Sequence, residues 1–308
     1  MTGRRTIVIW NPTAGRKAGL PTNGTDEASL RATLEAAGLD APIVIPGSAE
    51  ETVSRTRDAV REGYEVVAAA GGDGTAGVVG RELIGTSTAL GILPLGSAMN
   101  IGRSLGIPRD LAEAAGIVAT GEVRAIDVGV SKDQVFFEIA SVGMNAAIFA
   151  EAQRLDLGEY RSIVDLARVL LHHRPTRVTL QLDGRTRRMR ALMVAVANAP
   201  YTGLGLTFAP EALLDDGLFD VAVYGGFSRW ELLTHLASIV GGRRRYSPKI
   251  RTFRARRVRV DGRKRLPVRA DADDLGWTPA SFEVRPAALH VVVPPGDAAA
   301  LVTPAPGS

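Results

Sequence analysis

The stretch Glu65–Thr75, EVVAAAGGDGT, constrains this chain more than any other. Its apolar residues Val66–Ala70, bounded by turn formers, have the length of a buried strand. Gly71-Gly72-Asp73-Gly74-Thr75 follows at once and leads through Ala76-Gly77-Val78-Val79 into a helix. A glycine-rich turn between strand and helix lets the backbone approach a ligand and points free N–H groups outward, as a phosphate needs. Asp73 is the unusual member. A carboxylate repels phosphate unless a magnesium ion or a donor lies between them, so the turn suggests a metal-linked nucleotide site. The competing reading is a tight surface turn with Asp73 bonded to its own backbone, and the glycine pattern alone is not specific.

Two further turns repeat the design. The strand Thr6–Trp10 runs into Asn11-Pro12-Thr13-Ala14-Gly15-Arg16-Lys17, and the strand Ala89–Pro94 into Leu95-Gly96-Ser97-Ala98-Met99-Asn100. Ser97 is placed to cap the following helix or to bond a phosphate oxygen. Between these strands the spacing predicts a helix from about Asp26 to Ala37 with Leu30 and Leu34 on one face. A short strand at Pro42–Ile45 and a capping box at Ser48–Glu51, opening a helix to about Glu62, come next. A helix from about Leu111 to Ala119 closes the region. Strands alternating with helices argue for a parallel sheet covered on both faces, with ligands at the carboxyl ends of its strands. All three turns occupy that position, which favours one convergent nucleotide site.

From Ala125 the texture becomes β-rich, with runs at Ile126–Val130, Val135–Ala140, Arg177–Leu182, Met189–Asn198, Leu218–Val223, Arg256–Val260 and Phe282–Val284. Asp183-Gly184 and Asp261-Gly262 read as hairpin turns. Helices are expected at about Glu159–Leu171 and Arg229–Val240, and Leu289–Val293 as a final strand. The fold class is therefore α/β in two domains, a parallel-sheet nucleotide domain and a largely antiparallel, β-rich second domain. At 308 residues the chain is long enough for both cores. It contains no cysteine and only four histidines, which excludes thiol chemistry and makes a Cys/His zinc site a poor fit. No apolar run approaches the ~20 residues of a membrane span, and no signal peptide is apparent at the N-terminus. A cytoplasmic protein, peripheral at the inner face of the membrane, is the expectation.

The motifs in order resemble the diacylglycerol kinase catalytic family of bacterial lipid kinases over nearly the whole chain. They are Asn11-Pro12-x-x-Gly15, Gly71–Thr75, Pro94-Leu95-Gly96-Ser97 with Ser104–Pro108, Ala209-Pro210, Asp215–Asp220, and Arg285-Pro286-x-Ala288-Leu289. The resemblance implies an ATP-binding domain over residues 1–124 plus the C-terminal strand 288–308. It implies a lipid-binding domain over 125–287 that completes the active site. It further implies ATP held by Asn11, Pro12, Thr13, Ala14, Gly15, Gly71, Gly72, Asp73, Gly74, Thr75, Gly96 and Ser97. A structural Mg²⁺ is implied at Asp216, with backbone oxygens near Leu213 and Leu218. The family's catalytic base falls in an Asp-Gly-Glu turn, here Asp271-Ala272-Asp273, so Asp273 would accept the hydroxyl proton while Asp271 and Asp73 organise water and metal. Ala272 stands where the family has glycine, so the turn must avoid a positive φ there. The implied activity is transfer of the γ-phosphate of ATP to a hydroxyl of a diacylglycerol-like or sphingoid lipid.

Two other function classes compete. One is a soluble kinase acting on a non-lipid alcohol or on NAD. The other is a non-catalytic protein that binds nucleotides or nucleic acid. Segment 243–269 is crowded with arginine and has Asp261 as its only acid. It is expected either to dock on an anionic membrane or to form a solvated strand face. Only Tyr246 and Phe253 are available there for base stacking, so no nucleic-acid partner is expected. A lipid substrate at a membrane surface is the expected partner, and a homodimer is left open.

Overall fold

The computed structural model describes residues 4–14, 16–17, 20–21, 25–144, 146, 174–202, 207–227, 231 and 249–296. The chain forms two compact units, one running to Asp127 and resuming at Pro286, the other from Val128 to Arg285.

The first unit comprises β1 (Thr6–Trp10), the short pair β2 (Arg16–Lys17) and β3 (Leu20–Pro21), α1 (Glu27–Ala36), β4 (Ile43–Val44) and α2 (Ala49–Arg61). Then come β5 (Val66–Gly71), α3 (Asp73–Leu83), β6 (Ala89–Pro94), α4 (Asn100–Ser104), α5 (Leu111–Thr120) and the start of β7 (Glu122–Ser131). β4, β1, β5 and β6 form a parallel sheet in that order. β1, β5 and β6 are buried along their whole length, which is why they read as unbroken apolar runs rather than alternations. Leu30 and Leu34 of α1 and Ala115 and Val118 of α5 join Val8, Trp10, Val66, Ala68 and Ala70 in one core cluster. Helix starts are fixed by side-chain acceptors. Asp26 takes the Ser29 N–H at 2.8 Å, Ser48 that of Glu51 at 3.1 Å, and Asp110 that of Glu113 at 2.9 Å. Glu51 reaches back to Gly47 N at 2.8 Å, one residue earlier than a capping box usually returns. Those amide bonds, from Ser29 and Gly47, hold the Asp26 and Glu51 carboxyls below their ordinary pKa.

The second unit holds β8 (Gln134–Phe136), β9 (Ile139–Gly143), β10 (Thr176–Leu182), β11 (Arg185–Ala191), β12 (Met193–Ala197) and β13 (Phe219–Tyr224). It continues with β14 (Ile250–Ala255), β15 (Arg257–Gly262), β16 (Pro267–Ala270), β17 (Asp273–Trp277) and the first part of β18 (Ala280–Val293). Its strands pair antiparallel, as β11-β10-β15-β18 and as β14-β13-β12-β9-β16-β17. Val178, Leu180, Val258, Val260 and Phe282 of the former share a core with Val142, Val194, Val196, Val221 and Val268 of the latter. Phe136 stacks on Phe219 at 5.6 Å and meets Phe282 edge-on at 6.2 Å. Ala195, Ala197 and Met193, on the other face of β12, lie in a second cluster with Phe208, Tyr224 and Phe227. Burial on both faces explains the apolar run of β12.

Several expectations change. Asp183-Gly184 turns as expected, with both residues at positive φ (47° and 83°), the signature of a two-residue hairpin. Asp261-Gly262 does not turn. Both residues continue β15, opposite Thr179 and Val178, and the chain turns only after them. The run Met189–Asn198 divides at Leu192, because β11 and β12 belong to different sheets. The run Val135–Ala140 breaks at Phe137-Glu138, whose amides bond a side chain instead of a strand. β14, β16 and β17 were not foreseen, since arginine and aspartate mask their pattern. β18 runs far beyond Phe282–Val284, and its residue Val291 lies parallel to Leu90 of β6 in the first unit. The expected helices Glu159–Leu171 and Arg229–Val240 lie outside the described residues, Glu231 excepted.

Candidate active site

In the first unit the three turns are tied to one another. Asn11 N–H extends the ladder to Ala70 O at 2.9 Å, while its side-chain oxygen accepts from Thr13 N (3.0 Å) and Thr13 Oγ1 (2.7 Å). This Asx turn leaves Asn11 Nδ2 facing Thr75 Oγ1 at 3.4 Å, which joins the first turn to the second. Leu95 N donates to Gly71 O at 3.0 Å, joining the second to the third. Arg109 then clamps the third turn through Gly96 O (2.9 Å) and Ala98 O (3.3 Å). Pro12, Thr13, Gly74 and Ser97 are exposed, Asn11, Ala14 and Gly72 half-buried, and Gly15 lies outside the described residues. α3 follows Gly72, an N-cap residue with no side chain to accept from its first turn. Its leading amides and the positive end of its dipole are therefore placed to receive an anion.

The closeness of the turns requires Gly96. A Cβ there would run into the Gly72 backbone, whereas at Gly74 it would meet nothing within 4 Å. Gly96→Ala is expected to push the turns apart at ~1–3 kcal/mol of strain, read as weaker ATP binding by calorimetry. Gly74→Ala, inside α3 and with room for the methyl group, should not lower the melting temperature.

Asp73 has a use that its place in the turn conceals. α4 begins after Met99, a buried residue at φ 56° with no oxygen to cap the helix. Asp73 Oδ1, distant in sequence, accepts the Ile101 N–H at 2.9 Å and does what an N-cap side chain would. Ser97, expected to cap that helix or to bond a phosphate oxygen, lies exposed ahead of Met99 and is not the cap. Asp73→Ala should lose about 1 kcal/mol of stability. Asp73→Asn keeps an acceptor oxygen and should melt like the parent, so any turnover it loses reports the missing charge.

In the second unit Asp271 and Asp273 share one turn. Asp271 stands at φ 46°, and its carboxylate accepts from Phe137 N (2.7 Å), Glu138 N (3.0 Å) and Ile139 N (3.0 Å). These are the amides freed where β8 stops and β9 starts. Asp271 N donates to Ile139 O at 2.9 Å, and the buried Arg269 guanidinium donates to Ala272 O. The left-handed residue is thus Asp271, and Ala272 is spared a positive φ, as its methyl group requires. Asp273 opens β17 opposite Ala270, half-buried on this pinned turn.

The Asp-Asp-Gly loop turns at Gly217 (φ 70°), and Asp216 Oδ1 accepts Leu218 N at 3.0 Å. Asp216 Oδ2 pairs with Arg254, whose Nε lies 3.7 Å from Asp220 Oδ2. Both of those carboxylate oxygens are buried and neither has a hydrogen bond. Burial, and then the charge of Glu211, push the Asp220 carboxyl up to about 6. Leu213 and Leu218 are half-buried around the loop. Among the described residues no group of three or more His, Cys, Asp or Glu is placed to hold a metal.

Residues 5–131 match the model of the diacylglycerol kinase catalytic domain, and residues 138–293 that of the YegS C-terminal NAD kinase beta sandwich-like domain. A diacylglycerol kinase of Mycobacterium tuberculosis (strain ATCC 25618 / H37Rv) is 30% identical over 272 residues, covering 85% of this chain and 88% of its own. The chain belongs to the diacylglycerol kinase family. It is a kinase, a phosphotransferase with an alcohol acceptor. A diacylglycerol kinase of Bacillus subtilis (strain 168) is 27% identical over 297 residues, covering 94% of this chain and 97% of its own. A crystal structure of a diacylglycerol kinase from Bacillus anthracis str. Sterne has the same fold, with TM-score 0.74 at 20% identity over 96% of this chain and 98% of that one.

For a diacylglycerol-kinase-family chain, the loop at Asp216 is where Mg²⁺ is expected. The donors fit. Asp220 offers a buried carboxylate oxygen with no hydrogen bond, and Asp216 a buried one held in an ion pair by Arg254, which a hard cation with oxygen ligands would have to displace. Asp220 joins the expected set of Asp216, Leu213 and Leu218. Reading the sequence also missed Arg109 and Arg269. Arg269 was hidden in a basic run that looked like surface, and nothing in Pro108-Arg109 marks a clamp on a turn that precedes it.

Proposed function

We propose that the protein is an ATP-dependent lipid kinase, transferring the γ-phosphate to a hydroxyl of a diacylglycerol-like or sphingoid lipid. The observation that carries the nucleotide half is the linkage of the three strand-end turns around the uncapped start of α3. The acceptor half rests on the relatives, which are named diacylglycerol kinases. The exposed parts of Asn11–Ala14, Gly71–Thr75 and Gly96–Ser97 hold ATP, the α3 amides facing its phosphates. Mg²⁺ bound with ATP would supply charge neutralisation, and a separate, structural Mg²⁺ would be held in the second unit by Asp216 and Asp220 with the carbonyls of Leu213 and Leu218. Asp273 accepts the proton of the lipid hydroxyl as that oxygen bonds to the γ-phosphorus and the bond to the ADP oxygen breaks. Asp271 keeps the turn in place. No helix among the described residues is long and apolar enough to cross a membrane. In this reading the enzyme meets its lipid at the membrane surface.

The test offers diacylglycerol, a sphingoid base, glycerol and NAD separately with ATP and Mg²⁺, and identifies products by mass. A phosphorylated lipid alone is the expected product. Phosphorylated glycerol or NAD alone would replace the lipid reading with a soluble acceptor, and ATP binding without any product would leave a sensor.

A further inference from the structure

The outer face of β10, β11 and β15 carries arginines that the reaction does not use. Arg177 of β10 lies directly opposite Arg190 of β11, and Arg188 opposite Thr179. Arg263, just beyond β15, bonds through its N–H to Arg177 O at 3.1 Å. Together with Asp261 these side chains line an open concavity of about 560 Å³, and all five are exposed. Like charges directly opposite across a strand pair destabilise a sheet. Nearby basic residues avoid that cost through partners, Arg257 with Glu283, Lys249 with Glu231 and Arg254 with Asp216. Arg177, Arg188, Arg190 and Arg263 have no carboxylate partner among the described residues. Arginines on β11 alone would be explained as protection of an exposed edge. Arg177 sits on an inner strand, and Arg263 follows another, so edge protection does not account for them.

We infer that this face docks the enzyme on an anionic lipid surface, the four guanidiniums gripping headgroup phosphates. Guanidinium forks match phosphate oxygens in pairs, and the site's excess of positive charge is complementary to an anionic surface. Preferring a bilayer to a free anion rests on the lipid-kinase reading. The concavity takes Asp261, Gly262 and Arg263 from the basic segment 243–269, and its other arginines come from β10 and β11, outside that segment.

The wild-type protein and Arg188→Ala/Arg190→Ala are sedimented with phosphatidylcholine vesicles, with and without phosphatidylglycerol. The wild type should bind only the anionic vesicles, and the variant about 30-fold more weakly, at roughly fivefold per arginine. Arg188→Lys/Arg190→Lys should restore most of the binding, separating charge from misfolding. Phosphorylation of diacylglycerol in uncharged detergent micelles should be the same in all three. Absence of lipid product with the vesicle pattern intact would support the docking face and sink the acceptor reading. Equal vesicle binding by wild type and alanine variant would overturn the docking face. So would equal wild-type binding to both vesicle types, or loss of inorganic phosphate binding alone in the variant.

Discussion

Turnover of the Asp273→Asn variant is expected to fall by about 10²–10⁴, the usual worth of a general base in proton transfer, with ATP affinity and melting temperature held. The carboxylate stands on a turn fixed from three sides, by the Asp271 carboxylate, the Asp271 N–H and the Arg269 guanidinium. β17 pairs through its backbone, so the isosteric amide does not disturb the ladder. What it loses is the capacity to take a proton from an attacking hydroxyl. Asp273→Glu keeps a carboxylate and should turn over faster than Asp273→Asn. Steady-state turnover with saturating ATP, together with calorimetric ATP binding, checks both points. Full turnover in Asp273→Asn would move the base to another residue.

Asp271→Ala should destabilise the second unit about as much as emptying part of its core. Three amides lose one charged acceptor together, and charge-assisted bonds contribute about 1.5–3 kcal/mol each. Alanine must also hold the left-handed φ of 46°, at roughly 1–2 kcal/mol. Because the bonds share one carboxylate they do not add fully, and a net loss of about 3–5 kcal/mol is expected. Against total stabilities of about 5–15 kcal/mol, that brings the fold near its limit. Asp271→Gly removes the backbone strain but not the orphaned amides, so it should recover only the smaller part. Urea unfolding measures all of this, and a loss under about 1 kcal/mol for Asp271→Ala would show that the amides find other acceptors.

Local structure in the first unit was legible because its signals are local. The strands Thr6–Trp10 and Ala89–Pro94 lie where their apolar runs place them, and Asp26, Ser48 and Asp110 each cap within their own helix. Asp73 was singled out, but its bond to Ile101 depends on how two turns meet, which sequence spacing does not reveal. The second unit was read more coarsely. Strands such as Ile250–Ala255 and Pro267–Ala270 carry arginines that suggest solvent, yet Arg254 bridges two buried carboxylate oxygens and Arg269 is itself buried. Asp261-Gly262 looks like Asp183-Gly184, and only the pairing partner of β15 tells the strand from the turn.

In the proposed reaction, nucleotide turns and a carboxylate turn in one chain move phosphate to a lipid hydroxyl. The most direct measurement is single-turnover transfer of labelled γ-phosphate from ATP to diacylglycerol with Mg²⁺, followed by partition into an organic phase. Label that enters the organic phase with the wild type, and stays in water with Asp273→Asn, is the expected result. Label that remains aqueous with a wild-type protein able to bind ATP would contradict it.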